Sequence, residues 1–139
     1  MKEYIDGDLV RYTSLYKEPI AEICEVRETS YLIRFMNGNF ARVTGDEIKP
    51  IPLTLEILEK NGWNKYEYFD DTFYVIELNC YSMLLVGFPK KVGEDIACGI
   101  VTDDLQGGKI ISFFPTEVEY VHQLQHLLFG LGINYEIEV

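Results

Sequence analysis

The chain is predicted to fold as an α+β protein, with a small β module followed by a larger α+β body. Three observations lead to this prediction. Aromatic residues make up 14% of the chain, including ten Tyr and eight Phe, and such side chains favour pleated, half-buried surfaces. Short apolar runs separated by turn residues fill the first fifty positions. A capped helix then begins at Thr54, so we place the domain boundary between residues 1–52 and 53–139.

The β module is read from four short runs and their turns. A strand follows Gly7-Asp8, and a second run, 20–26, places Ile20, Cys24 and Val26 on one face by alternation. Residues 31–35 and 40–43 flank Asn37-Gly38, a pair that favours a type I′ hairpin turn because both residues tolerate positive φ. Gly45-Asp46-Glu47-Ile48 closes the module.

Two helices and a set of strands are predicted in the body. The first helix has Thr54 as its N-cap, turns Leu55 and Leu58 towards the core, and stops at Asn61-Gly62. Residues 65–114 read as successive strands, for which an antiparallel meander is the simplest arrangement.

The second helix is predicted from a capping box and an apolar stripe. Thr116 and Glu119 supply the box, and the stripe consists of Val121, Leu124, Leu128 and Leu131. We expect this helix to pack on the antiparallel sheet. Strict alternation over residues 133–139 then predicts a last strand.

Two resemblances add to these elements. The order of strands and turns over residues 1–52 resembles a small bacterial SH3-like barrel, which implies a module that binds peptides, nucleic acid or its own chain. The tracts KPIPLT-x-EILEKNG, beginning at Lys49, and YVHQLQ, beginning at Tyr120, resemble a family of small proteins from anaerobic gut bacteria, their phages and mobile elements. That family has no established activity, and its members more often carry Asn at the position of His126.

Charge and cysteine content limit the function. Residues 1–52 carry seven Lys or Arg against nine Asp or Glu, whereas residues 53–139 carry five against fourteen. The body, at −9, should repel nucleic acid, which only the near-neutral barrel could bind. The three cysteines have no CxxC spacing and are expected to be reduced, and no stretch suits a signal peptide or membrane span. We therefore expect a soluble cytoplasmic protein.

Candidate chemistry is sparse. His122 and His126 have the i, i+4 spacing of a two-histidine metal site, but no further ligands accompany them, so solvated or core-edge histidines are favoured and no cofactor or metal is predicted. The cysteines lack the electropositive surroundings of a nucleophile. Aromatic residues of the barrel could instead line a groove, flanked by arginines. The candidate binding residues are Tyr12, Tyr16, Tyr31, Arg11, Arg34 and Arg42.

The leading hypothesis is a non-enzymatic accessory protein that acts through protein–protein contact, and the motif resemblance implies a phage or mobile element as its source. Two alternatives stay open. The barrel could bind nucleic acid through Arg11, Arg34 and Arg42, or the chain could be a metal-dependent hydrolase that uses His122 and His126. The oligomeric state does not follow from the sequence.

Overall fold

A computed structural model describes residues 4–68, 71–88, 96–103, 106–114 and 118–139. It confirms the α+β class, with two five-stranded antiparallel sheets and two α-helices within these residues. The helices are α1 (Leu55–Lys60) and α2 (Val121–Gly130). The strands are β1 (Leu9–Tyr12), β2 (Ile20–Val26), β3 (Tyr31–Phe35), β4 (Phe40–Val43), β5 (Ile48–Pro50), β6 (Asn64–Tyr68), β7 (Asp71–Asn79), β8 (Ser82–Gly87), β9 (Ala97–Asp103) and β10 (Lys109–Phe113).

The chain divides into two compact units. The first unit comprises Met1–Pro52 and Tyr120–Leu131, and the second comprises Leu53–Glu119 and Gly132–Val139. The chain therefore passes from the first unit to the second after Pro52, returns to the first at Tyr120 and leaves it again after Leu131. The second helix, which we expected on the second sheet, belongs to the first unit.

The sheet of the first unit has the strand order β4-β3-β2-β1-β5, and a short 3-10 helix, Gly45–Glu47, precedes β5. Among the described strands β4 and β5 do not pair with each other, so the sheet is open and the predicted closed barrel is not found. One face of this sheet carries the core, which includes Val10, Ala21, Ile23, Ile33 and Val43.

A bulge in β2 changes which side chains that strand buries. The register with β3 shifts between Ile23 and Glu25, and the buried residues are Ala21 and Ile23. Ile20 therefore lies on the face opposite the core, whereas Val26, which pairs with Tyr31 beyond the bulge, returns to the face of Ile23. The bulge offsets the simple alternation on which the prediction depended, because it adds a residue to one strand only.

The hairpin between β3 and β4 forms where it was predicted, but with a different turn. Gly38 has φ of +88°, whereas Asn37 is not among the residues with positive φ, which excludes a type I′ turn. The side chain of Asn37 instead accepts a hydrogen bond from the Asn39 N–H at 3.0 Å. The loop thus uses the Asx geometry that Asn favours.

Helix α2 begins later than predicted. The Val121 N–H donates to the Ile51 carbonyl at 2.8 Å, and Pro52 forms an isolated bridge with Tyr120, so the backbone before the helix is extended. At the first turn the Tyr120 N–H donates to Oε1 of Gln123 at 3.0 Å. The predicted cap, Thr116, lies outside the described residues. The apolar stripe is confirmed at Val121, Leu124 and Leu128, which are buried.

The sheet of the second unit is the expected meander, with the order β10-β9-β8-β7-β6. Helix α1 has the predicted cap, since the Ile57 N–H donates to Thr54 Oγ1 at 3.3 Å. Leu58 is buried as predicted, but Leu55 is exposed. Glu59 of the same helix accepts a hydrogen bond from the Tyr74 hydroxyl at 2.7 Å, which joins α1 to β7.

Residues 132–139 form no strand, although their burial follows the predicted alternation. Ile137 is buried, and its neighbours Glu136 and Glu138 are exposed. Asn61 holds this segment through two hydrogen bonds: its amide donates to the Glu138 carbonyl at 2.7 Å and accepts from the Glu138 N–H at 2.8 Å. A side chain therefore provides the pairing that a neighbouring strand was expected to give.

Candidate functional site

The three candidate tyrosines occupy different environments. Tyr12 stacks edge-on against Phe35, with 5.5 Å between ring centroids, and Tyr31 contacts Tyr4 at 5.8 Å. Both pack against the core of the first unit. Tyr16 is 100% exposed, on a turn in which the Glu18 N–H donates to the Leu15 carbonyl. Only Tyr16 among the three presents its whole ring to solvent.

The candidate arginines do not form a continuous basic stripe. Arg34 pairs with Glu22 at 2.8 Å, and Arg42 pairs with Glu25 at 3.6 Å. Arg11 lies on β1, in register with Ile20 and Lys49. Since carboxylates neutralise two of the three guanidinium groups, the structure adds no support for a phosphate-binding surface.

The two candidate histidines lie on α2 with their ring centroids 5.6 Å apart. His122 is buried beside the rings of Tyr4 and Tyr120, at 5.0 and 5.9 Å. His126 directs Nε2 at the carboxylate of Asp8, 2.9 Å from each oxygen. Among the described residues no group of three His, Cys, Asp or Glu is arranged to hold a metal ion.

Asp8, which the sequence did not single out, is the buried partner of this helix. It is 1% exposed and also accepts a hydrogen bond from the Ile5 N–H at 2.8 Å. Burial raises the pKa of Asp8 above its usual 3.8, although the hydrogen bonds from Ile5 and His126 act in the opposite direction. Its sequence separation from His126, 118 residues, explains why no local pattern could reveal the pair.

Gln125 strengthens the same contact through the backbone on either side of Asp8. Its side-chain amide donates to the Gly7 carbonyl and its carbonyl accepts from the Leu9 N–H, each at 3.0 Å. Gln125 and His126 therefore hold the Gly7–Leu9 segment against α2. This arrangement leaves His126 bound to a carboxylate of its own chain, which is a structural role.

The three cysteines lie in different environments. Cys98 is buried, and burial raises its thiol pKa to about 12. Cys24 is half-buried and Cys80 is exposed, and all three are free thiols. A catalytic thiol requires a lowered pKa, and the pKa of Cys98 is shifted in the opposite direction.

A different feature, strand β10, stands out in the second unit. It is the last strand of its sheet, and among the described residues it pairs only with β9. Its side chains Ile110 and Phe113 are each 55% exposed. Edge strands with exposed apolar side chains can pair with other chains, and proteins usually protect such edges with charges, proline or bulges.

The other described edge strands carry such protection. Strand β6 has Lys65 and Glu67 exposed on one face, and β5 is three residues long and ends in Pro50. Strand β4 is four residues long and carries Arg42 beside Phe40, which is 60% exposed. Strand β10, with the sequence KIISF, has a charge only at its first residue. Lys109 is itself paired with Asp103, at 2.6 Å.

The register shows which backbone groups of β10 face outward. The Phe114 N–H donates to the Cys98 carbonyl at 2.8 Å, and Phe113 lies opposite Gly99. Hydrogen-bonded and non-hydrogen-bonded pairs alternate in an antiparallel ladder, so Ile110 and Ser112 direct their amide and carbonyl groups towards β9. Lys109, Ile111 and Phe113 direct theirs to the other side of the strand.

Gly99 allows β10 to approach β9 closely. A Cβ at this position would lie 2.5 Å from the Ser112 carbonyl oxygen and 3.1 Å from the Phe113 Cα. Phe113 also reaches Phe73 on β7, with 6.3 Å between ring centroids. The sequence predicted successive antiparallel strands over residues 65–114, but the position of β10 at the sheet edge depends on the strand order. The local signal was an apolar strand with a charge only at its start.

Comparisons with protein-family models, curated proteins and solved structures find no match to this chain. No helix within the described residues is both long and apolar enough to span a membrane.

Proposed function

We propose that this chain is a non-enzymatic accessory protein that acts by binding another protein through strand β10. The observation that carries the proposal is the exposed edge of the second sheet, where Ile110 and Phe113 lie beside outward-facing backbone groups. An extended segment of a partner could add to this edge by backbone hydrogen bonding, with the two apolar side chains giving selectivity. The fully exposed Tyr16 is a second contact point within the same proposal.

The proposed function also includes an SH3-like first unit, a cytoplasmic location and a mobile-element context, each of which the sequence led us to expect. An SH3-like origin of the first unit is supported by its strand order and by the 3-10 helix before β5. A cytoplasmic location and a mobile-element context are supported by the three free cysteines and by the motif resemblance described above.

Site-specific photo-crosslinking in cells that carry the protein tests the proposed function. A benzophenone side chain replaces Ile110 on β10 in one variant and Lys65 on β6 in the matched control. We expect a discrete covalent adduct from the Ile110 position only, and we expect Ile111→Pro to abolish it. Proline at position 111 removes an outward-facing N–H while leaving the bonds to β9 in place.

Equal adduct patterns from the two positions, or an adduct at Ile110 that survives Ile111→Pro, would refute binding through this edge. The fold of each variant is checked by fluorescence of Trp63, the single tryptophan, which is buried in the second unit.

A further inference from the structure

The partner of β10 can be described more closely from the register and from the charge around the strand. This inference rests on the proposed function, because it concerns the same edge. On the open side, Lys109, Ile111 and Phe113 offer backbone donors and acceptors at every second residue. A segment that pairs there must be extended over about five residues to match β10.

The side chains of β10 also limit the partner. Ile110 and Phe113 are the exposed apolar residues, and they lie on opposite faces of the strand because their positions differ by an odd number. A partner strand therefore needs an apolar side chain on each of its own faces. Such cross-strand pairs of apolar side chains stabilise the pairing of two strands.

The chain around β10 is acidic. Residues 97–119 contain four carboxylates, Asp103, Asp104, Glu117 and Glu119, and one cation, Lys109, which is paired with Asp103. The second unit as a whole carries −9, since residues 120–131 contain no Asp, Glu, Lys or Arg. A second copy of the chain would bring the same charge to the edge and be repelled, whereas a basic segment would be attracted.

We infer that strand β10 binds an extended, apolar segment of a partner protein flanked by lysine or arginine, which adds to the sheet as a sixth strand. Backbone pairing supplies the attachment, Ile110 and Phe113 supply apolar contacts, and the net negative charge of the second unit selects a cationic sequence over an acidic one.

Titration calorimetry of the full chain with acetylated, amidated synthetic peptides tests this. The probe is KTVFITK, and its charge-reversed twin is ETVFITE. We expect KTVFITK to bind at least about tenfold more tightly than the twin at 50 mM salt, equivalent to about 1.4 kcal/mol. The difference should shrink at 500 mM salt, because screening shortens the reach of surface charges.

Two N-methylated isomers of KTVFITK test backbone pairing without altering the protein. One carries methyl groups on the amides of one strand edge, and the other on the amides of the opposite edge. Only one edge of a strand can pair with β10, so we expect one isomer to keep its affinity and the other to lose at least about tenfold. Ile111→Pro should weaken binding of the unmethylated peptide by a similar factor.

Each other outcome contradicts a defined part of the reasoning. Suppose that KTVFITK and ETVFITE bind equally while only one methylated isomer loses affinity. That result would refute the preference for a cationic partner but would still support binding at the β10 edge. If neither methylated isomer loses affinity, or if no peptide binds, the proposed backbone pairing at β10 is refuted. A dimer in sedimentation velocity that Ile111→Pro dissociates would show that the occupant is a second copy, which also overturns the inference.

Discussion

Replacement of Gly99 by alanine should displace strand β10 and destabilise the second unit. The added Cβ would lie 2.5 Å from the Ser112 carbonyl oxygen, a backbone atom that cannot rotate away. Comfortable carbon contacts begin near about 3.5 Å, so the strand must move by roughly 1 Å. Such a shift strains the hydrogen bonds that Ser112 makes across the ladder to Ile100.

The size of the effect follows from these contacts. Overpacking costs about 1–3 kcal/mol, and each weakened hydrogen bond adds up to about 1 kcal/mol. We therefore expect Gly99→Ala to lower the free energy of unfolding by about 2–3 kcal/mol. The assay is urea-induced unfolding followed by the fluorescence of Trp63, which is buried in the same unit.

Gly130→Ala is the matched control. A Cβ at Gly130 would meet nothing within 4 Å, and this residue is the last of helix α2. Alanine favours a helix over glycine, so this variant should be neutral or more stable by up to about 1 kcal/mol. If Gly99→Ala unfolds at the same urea concentration as wild type, the close packing of β10 on β9 is wrong.

Three further predictions concern other contacts. Gln125→Ala should lower the free energy of unfolding by about 1–3 kcal/mol, because two partly buried hydrogen bonds to the Gly7–Leu9 segment are lost. A loss below about 0.3 kcal/mol in thermal unfolding would show that Gln125 does not hold this segment. Burial in the folded protein raises the pKa of the Cys98 thiol from 9.0 to about 12. The contribution of the buried neutral thiol to folding stability is therefore complete below pH 9, and it is lost as the pH rises towards 12. Unfolding from pH 8.5 to 11 should thus show a shallower decline for Cys98→Ala than for Cys80→Ala, and equal slopes would contradict the assignment. Thr54→Ala should cost about 1 kcal/mol and Thr54→Ser much less, as measured by urea unfolding, since Thr54 caps α1, and equal losses would argue against the cap.

Local patterns predicted much of the fold. Short-range chemistry decides the cap at Thr54 and the helix stop at Gly62, whose φ is +80°, so both could be read from neighbouring residues. The alternation of residues 133–139 correctly separated buried from exposed side chains. It could not show whether another strand would pair with them, and here Asn61 takes that place.

Contacts between distant parts of the chain account for what the sequence did not reveal. The start of α2 depends on the Ile51 carbonyl, seventy residues earlier, which accepts the Val121 N–H and keeps the preceding backbone extended. The Asp8–His126 pair likewise joins the two ends of the chain. The bulge in β2 places Ile20 and Val26 on opposite faces of the strand, and no Gly or Pro marks its position in the sequence.

At the candidate site, too, the sequence predicted what depends on local residues and did not reveal what depends on distant contacts. The sequence predicted the antiparallel meander and the acidic character of residues 53–139. The exposure of β10 required the strand order, because an apolar run of this length reads equally as a central strand. Tyr12 and Tyr31 matched the composition of a binding surface, yet their rings pack with Phe35 and Tyr4.

Amide hydrogen exchange along β10 in the free protein tests the central claim most directly. We predict slow exchange for the N–H groups of Ile110, Ser112 and Phe114, which face β9, and fast exchange for those of Ile111 and Phe113, which face the open side. Equal protection of all five amides would mean that the edge is already covered, and would contradict a free binding strand.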